Sequence, residues 1–406
     1  MRIAGLRGAH LDTATEDFFP LPARNEWGEG RGERKSNKDG HLSPALPPYG
    51  KRGRKPCSEH RWQCQDAPDF VALAVSPLTF LRWRLRIGLM LEKKFLFAFL
   101  LLLVPDLPAA EPANVRRPKD DAELRYWIEN MVWHHRFTPA EITAATGLDS
   151  QEIMAALKKF NITPSHRPKR SADAPPLVLP YPGGRHPRIG FLDGAVRPQR
   201  ETKVSVFTPW DESSYVVVDV PEAIWSNLGL TYLAHTHVDT VWTKQGIELE
   251  PLEWNRRADG TFDFERKLPN GISFGAKVVP GRDAVRMELW LANGTKEKLT
   301  DLRVQNCVML KGSPGFNQQT NSNKVLSKPY VACRSEDGKR WIISAWDPCH
   351  RPWANAPVPC LHSDPKFPDC APGETQRLRG WLSFYEGTNV EAEFKRIDQT
   401  GWRDSR

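Results

Sequence analysis

The stretch VRMELWL, residues 285–291, decides the fold class. Val285, Met287, Leu289 and Leu291 alternate with Arg286 and Glu288. A period of two puts the apolar side chains on one face of a β-strand and the charged ones on the other. Asn293-Gly294 follows, a pair that suits a tight hairpin turn.

The same signature recurs on either side of this stretch. Candidate strands are VSVF (204–207), YVVVDV (215–220), IELEPLEW (247–254), TFDFE (261–265), ISFGAKVV (272–279), LRVQNCVML (302–310), PYVAC (329–333), RWIISAW (340–346), RLRGWLSFY (377–385) and VEAEFKRI (390–397). Turn residues separate them, including Ala258-Asp259-Gly260, Pro269-Asn270-Gly271 and Glu336-Asp337-Gly338. The expectation is a mainly β protein, a large antiparallel two-sheet β-sandwich over residues 189–400 preceded by a small three-helix module.

That module spans residues 115–162. Three short helices fit its period, with Thr138 capping the second ahead of Pro139, and Asp149 or Ser150 capping the third. Gly147 falls where the turn between them is needed. The run TPAEITAATGLDSQEIMAALKKF (138–160) resembles the helix-turn-helix of bacterial transcription regulators, with Ala144 at the crossing and Ile153, Leu157 and Phe160 on one face. Residues 119–161 carry five basic and seven acidic side chains, so attraction to phosphates is missing. The would-be recognition helix offers base edges little beyond Gln151, Lys158 and Lys159. A helical packing module is therefore expected, with no nucleic-acid partner and DNA regulation the remotest alternative. Residues 163–188 are rich in proline and basic residues and read as an extended linker that docks on the next domain.

Residues 90–110, MLEKKFLFAFLLLLVPDLPAA, have the three parts of a secretory signal peptide. Lys93 and Lys94 precede ten apolar residues, and Pro105 and small residues follow. Ten apolar residues fall short of the roughly twenty that span a bilayer, so export with no permanent membrane span is expected. A signal this late in the sequence implies a start at Met90, with residues 1–89 a disordered upstream extension. Those residues hold fifteen Lys and Arg against ten Asp and Glu, which leaves +3 of the chain's +8 to the remainder. The basic balance thus belongs mainly to the extension.

Three stretches could carry chemistry. In YLAHTHVDTVW (232–242), His235, His237 and Asp239 are spaced to share one face of a strand, within reach of one substrate or one divalent metal such as zinc. Residues 347–375 form a long stretch without a period, containing seven prolines together with Cys349, His350, Trp353, Cys360, His362, Asp364 and Cys370. Long aperiodic segments in compact domains are usually functional or disordered, and the seven prolines disfavour disorder. Here His350, His362, Asp364 and Trp353 are candidate substrate contacts. Cys349 is a candidate disulfide partner of Cys360 or Cys370, and a zinc site is the alternative use of the same residues. Five cysteines follow the signal, so an odd thiol remains unless all are free. Nine tryptophans between Trp210 and Trp381 are the third feature, since sugar rings stack on such faces. GxGxxG, P-loop, GxSxG and HExxH motifs are absent from the sequence, which argues against nucleotide-dependent chemistry, ordinary serine hydrolysis and common zinc proteolysis.

With its strand number, LWLANGTKEKLTDLRVQNCV (289–308) and PGETQRLRGWLSFYEG (372–387), the β region resembles the supersandwich of galactose-mutarotase-like proteins. That resemblance implies a sugar site on the concave face, worked by a His acid and a carboxylate base. His235 or His237 with Asp239, Glu248 or Glu250 would be compatible. The opening YPGGRHPRIGFLDGA (181–195) and the segment HSDPKFPDC (362–370) resemble uncharacterised secreted proteins of planctomycete-type bacteria, which implies an exported, secreted or periplasmic location. The expected function is carbohydrate binding or processing, with a glycan partner. The alternative is a non-catalytic periplasmic or cell-surface interaction protein.

Overall fold

Capping chemistry sets the helices where the sequence places them. Helix α1 (Asp121–Glu129) starts at Asp120, whose side chain accepts from the Glu123 amide, and runs on as a π-helical turn, Asn130–His134. Helix α2 (Pro139–Thr146) has a full capping box, Thr138 with Glu141, and ends at Gly147 in the left-handed region. Helix α3 (Ser150–Lys159) has a second box, Asp149 with Glu152. Ala145, not Ala144, is the buried small residue of α2, because Ala144 faces outward. The computed structural model describes residues 115–171, 173–189, 200–234 and 238–404. The expected extension, residues 1–89, and signal peptide, residues 90–110, lie outside them.

The strands follow in chain order. First come β1 (Val178–Pro180), β2 (Lys203–Phe207), β3 (Tyr215–Ser226) and β4 (Gly229–Leu233). Next are β5 (Asn255–Arg256), β6 (Phe262–Lys267), β7 (Ile272–Pro280) and β8 (Val285–Asn293). Strand β9 (Val304–Met309) is followed by β10 (Lys324–Ser327), β11 (Tyr330–Arg334) and β12 (Arg340–Asp347). A hairpin of β13 (Cys349–Asn355) and β14 (Cys360–Pro365) leads to β15 (Thr375–Glu386) and helix α4 (Val390–Asp398).

They build two antiparallel sheets, so the molecule is the mainly β sandwich that the alternation predicts. The first has the order β1-β2-β3-β9-β14-β13, with β4 also paired to β3. The second has the order β10-β11-β12-β15-β8-β7-β6-β5. Strand β8 is buried at every second residue, as VRMELWL requires. Between the sheets lie Val204, Val206, Val216 and Val218 of the first and Phe264, Phe274, Leu289 and Leu382 of the second. Gly275 admits Trp290 across the β7–β8 ladder, where a Cβ would stand 2.2 Å from the indole.

Each sheet also has a covered outer face. Helices α1 to α3 pack Ile128, Met131, Ile142 and Ile153 on Phe207, Tyr215, Val217 and Met309 of the first sheet. Helix α4 packs Val390, Phe394 and Ile397 on Tyr330, Ala332 and Trp381 of the second.

Four expectations are corrected. VEAEFKRI is helix α4 and not a strand: Asn389 caps it, and Val390, Phe394 and Ile397 recur at helical spacing. IELEPLEW forms no strand. Its Ile247, Leu249 and Leu252 lie along the core edge, while the Trp254 indole donates to the Lys203 carbonyl at 3.1 Å. Residues 347–375 contain a regular hairpin, since the ladder β13–β14 accommodates Pro352 on an edge strand. The Pro-rich linker is an integral part of the sandwich, because β1 pairs with β2 and the β region therefore begins at Val178 rather than at residue 189.

Candidate functional site

The register of the first sheet aligns a polar row on its outer face. Lys203 lies opposite Asp219, and Asp219 opposite Cys307. Cys360 pairs with Met309 and Leu361 with Val308, which carries His362 alongside Cys307. Trp353 lies opposite His362 and Arg351 opposite Asp364. Successive side chains of a strand alternate between faces, so this row and the apolar patch beneath the helices share one surface.

Side-chain contacts knit the row together. Lys203 Nζ is 2.9 Å from Asp219 Oδ1, and both side chains are fully buried. Cys360 Sγ and His362 Nε2 are 3.0 Å apart. The ligand atoms of Cys307, Cys360 and His362 all lie within 4.8 Å of one another. His362 Nδ1 faces Asp364 Oδ1 at 3.7 Å. Asp364 Oδ2 accepts from the Trp353 indole at 2.5 Å and from Arg351 at 3.1 Å. The Trp353 ring is stacked on the His362 imidazole, with centroids 3.8 Å apart.

Residues 181–189 border this row. Gly184 passes so close to α2 that a Cβ would stand 2.3 Å from the Glu141 carbonyl oxygen, with φ at +73°. Arg185 then reaches the Glu141 carboxylate and the Tyr215 hydroxyl, and Lys311 Nζ donates to the His186 carbonyl at 2.9 Å. Arg188 forms an ion pair with buried Glu222, whose other oxygen accepts from Gln305 Nε2 at 2.9 Å. Glu222 sits where the β3–β9 register shifts, between Asp219 and Ala223, next to Pro221, which has no N–H to give to the ladder. The Ala234 amide donates to the Glu222 main-chain carbonyl at 2.7 Å, which ties the end of β4 to this bulge.

Burial and neighbouring charge tune the groups in the row. Burial pushes the Cys307 thiol well above its ordinary pKa. It works against the charged form of His362, but Cys307 and Asp364 outweigh it and hold that imidazole up at about 10. Burial also disfavours the Arg188 cation, yet Glu222, Cys307, Cys360 and Asp219 raise its pKa.

Of the residues read from sequence, His362, Asp364 and Trp353 come together in this row, and Cys360 joins them. His235 and His237 lie outside the described residues. Asp239 is exposed beyond the end of β4 and accepts from the Thr243 hydroxyl at 3.2 Å, so the strand that would align it with the histidines has already ended. His350 is the extra residue at the bulge between Cys349 and Arg351 and stays out of the row. Burial and the nearby Lys366 and Lys328 lower its pKa.

The candidate disulfides are not formed, and all five described cysteines are free and buried. Cys349 pairs with Pro365 and Cys360 with Asn355, which puts the two at opposite ends of the hairpin, about 16 Å apart at the rise of a strand. Cys370 instead bridges to Leu299, and its thiol donates to the Glu374 carbonyl. Sequence reasoning missed Lys203, Asp219, Glu222, Gln305, Arg188 and the role of Cys307. Asp219 and Glu222 within the otherwise apolar YVVVDVPEAIW were the available signal, because a buried acid in such a strand requires a partner.

No family model matches the chain, and no curated protein matches it. Several solved structures align over parts of it, among them the following three. A putative kojibiose phosphorylase from the human microbiome is 7% identical at a TM-score of 0.25, covering 36% of this chain and 21% of that one. A polysaccharide lyase is 14% identical at 0.23, covering 33% and 22%. The Slr1438 protein of Synechocystis sp. PCC 6803 is 11% identical at 0.28, covering 48% and 89%. The chain thus spans under a quarter of the first two, and at these scores the alignments identify no site. Among the described residues no helix is long and apolar enough to cross a membrane.

Proposed function

We propose that this is an exported protein that binds, and through Glu222 processes, a carbohydrate on the outer face of its first sheet. The observation that supports it is the Arg188–Glu222–Gln305 cluster. A carboxylate held between a cation and an amide is the arrangement that reads the hydroxyls of a polar ring. In this reading His235 or His237, which the sequence singles out, supplies the imidazole partner of Glu222, since acid–base chemistry on a sugar needs an imidazole and a carboxylate. Asp364 is held by Arg351 and the Trp353 indole, and the Trp353 ring stacks on His362. In this reading these two therefore shape the site's wall.

The test is a glycan-array and reducing-sugar assay on the wild-type chain, Glu222→Gln and His235→Ala. Binding or turnover by the wild type is expected to fall by roughly a hundredfold or more in both variants while circular dichroism is unchanged. A wild-type chain that ignores the whole panel would end the carbohydrate reading, as would variants that behave like it.

A further inference from the structure

We propose that Cys307, Cys360 and His362 form a binding site for a thiophilic divalent metal ion of the zinc class. Three observations converge on it. The first is donor type and position: two thiols and an imidazole, all buried, converge within 4.8 Å. A tetrahedral ion with bonds of about 2.0–2.3 Å holds its donors about 3.3–3.8 Å apart, so small side-chain rotations close the site.

The second observation is the strand register. Cys360 pairs with Met309, two residues from Cys307, which makes the two cysteines diagonal neighbours across the β9–β14 ladder. Diagonal Cβ atoms are typically near 7 Å apart, whereas a disulfide needs about 3.5–4.5 Å. The same backbone that disfavours a disulfide leaves room for an ion between the sulfurs.

The third is the surroundings. His362 presents Nε2 to Cys360 and turns Nδ1 toward Asp364, the carboxylate–histidine relation that orients a metal-bound imidazole. Trp353 fixes the plane of the ring. Two sulfurs and one nitrogen leave a fourth coordination position, the pattern of sites that take a water or substrate atom. Metal binding would release to solvent the protons of the two thiols and the one that His362 Nε2 carries when the imidazole is charged, with no redox change. This proposal stands apart from the carbohydrate reading and survives its failure.

The test uses the full chain, purified reduced and without chelator. Roughly one zinc per chain is expected, and exchange with cobalt(II) is expected to give a thiolate-to-cobalt charge-transfer band. Cys307→Ser and Cys360→Ser should each abolish the band. Cys333→Ser, whose thiol donates to the Phe316 carbonyl in the sandwich core, should keep it. A folded wild-type chain with neither metal nor band overturns the site, and so does a band that persists in Cys360→Ser. Should the variants not fold, peptide mapping of the wild type decides: a Cys307–Cys360 disulfide refutes the proposal, and metal-protected thiols support it.

Discussion

The outer faces of the two sheets are both roofed by helix, yet they are built from opposite materials. Over the second sheet, α4 lays Phe394 flat on Tyr330 at 4.5 Å, and Trp402 meets Trp381. Rings fill the space and apolar burial supplies the stability. Over the first sheet, the roof of α1 to α3 covers only part of the surface with apolar contacts. The rest contains a buried Lys203–Asp219 pair, an Arg188–Glu222 pair and the Cys307–Cys360–His362 group. Buried ion pairs seldom add net stability over apolar replacements of the same shape. The second face is what this chain builds for cohesion alone, and the first departs from it in a way that cohesion does not require.

The largest effect expected from breaking this contrast is at Lys203. Lys203→Met takes the cation from 2.9 Å beside a buried carboxylate and should cost about 3–5 kcal/mol in urea unfolding. Combining it with Asp219→Leu should regain most of that loss. A double variant as unstable as the single one would mean that the pair supports the fold after all. On the other face, Phe394→Ala should cost about 3 kcal/mol through the cavity it leaves, with metal content and glycan binding unchanged. Loss of either would tie the two faces together.

A smaller effect is expected from pH, and it sharpens the comparison at the seam of helix and sheet. His135 is buried and neutral: its Nδ1 lies 3.2 Å from the Asn130 carbonyl, which can only accept, so Nε2 accepts from the Ser205 hydroxyl at 2.7 Å. Burial lowers its pKa to about 3 from an ordinary 6.5. The unfolded chain therefore binds the proton first. The contribution of neutral His135 is complete above pH 6.5 and is lost as pH falls toward 3. Unfolding at pH 4.5 against pH 7 should show about 2 kcal/mol of this loss, and His135→Gln should flatten the slope. An unchanged slope in that variant would assign the acid sensitivity elsewhere.

Local chemistry made much of this legible in the sequence. Alternation in VRMELWL became β8, and Thr138 and Asp149 became the helix caps they resemble. Reading failed where two periods overlap or where pairing is distant. VEAEFKRI alternates well enough to suggest a strand, but its three large apolar residues also fit one helical stripe, and packing on Trp381 selects the helix. The hairpin of β13 and β14 hid behind prolines and short strands. The site was less legible for a physical reason: Cys307 and His362 lie 55 positions apart in sequence and meet only through the β9–β14 ladder. Composition named the ligand types near residues 349–370, and register alone selected which of them converge.

Strand β15, residues 375–386, lies in the middle of the second sheet, between β12 and β8. Until it arrives, β5 to β8 and β10 to β12 are two fragments with open edges facing each other. A ribosome delivers this central strand after every other described strand of the two sheets, so closure of the second sheet waits until residues 375–386 emerge. A premature stop before residue 375 would release two ribbons with nothing to join them, a product suited to aggregation and to disposal by proteases.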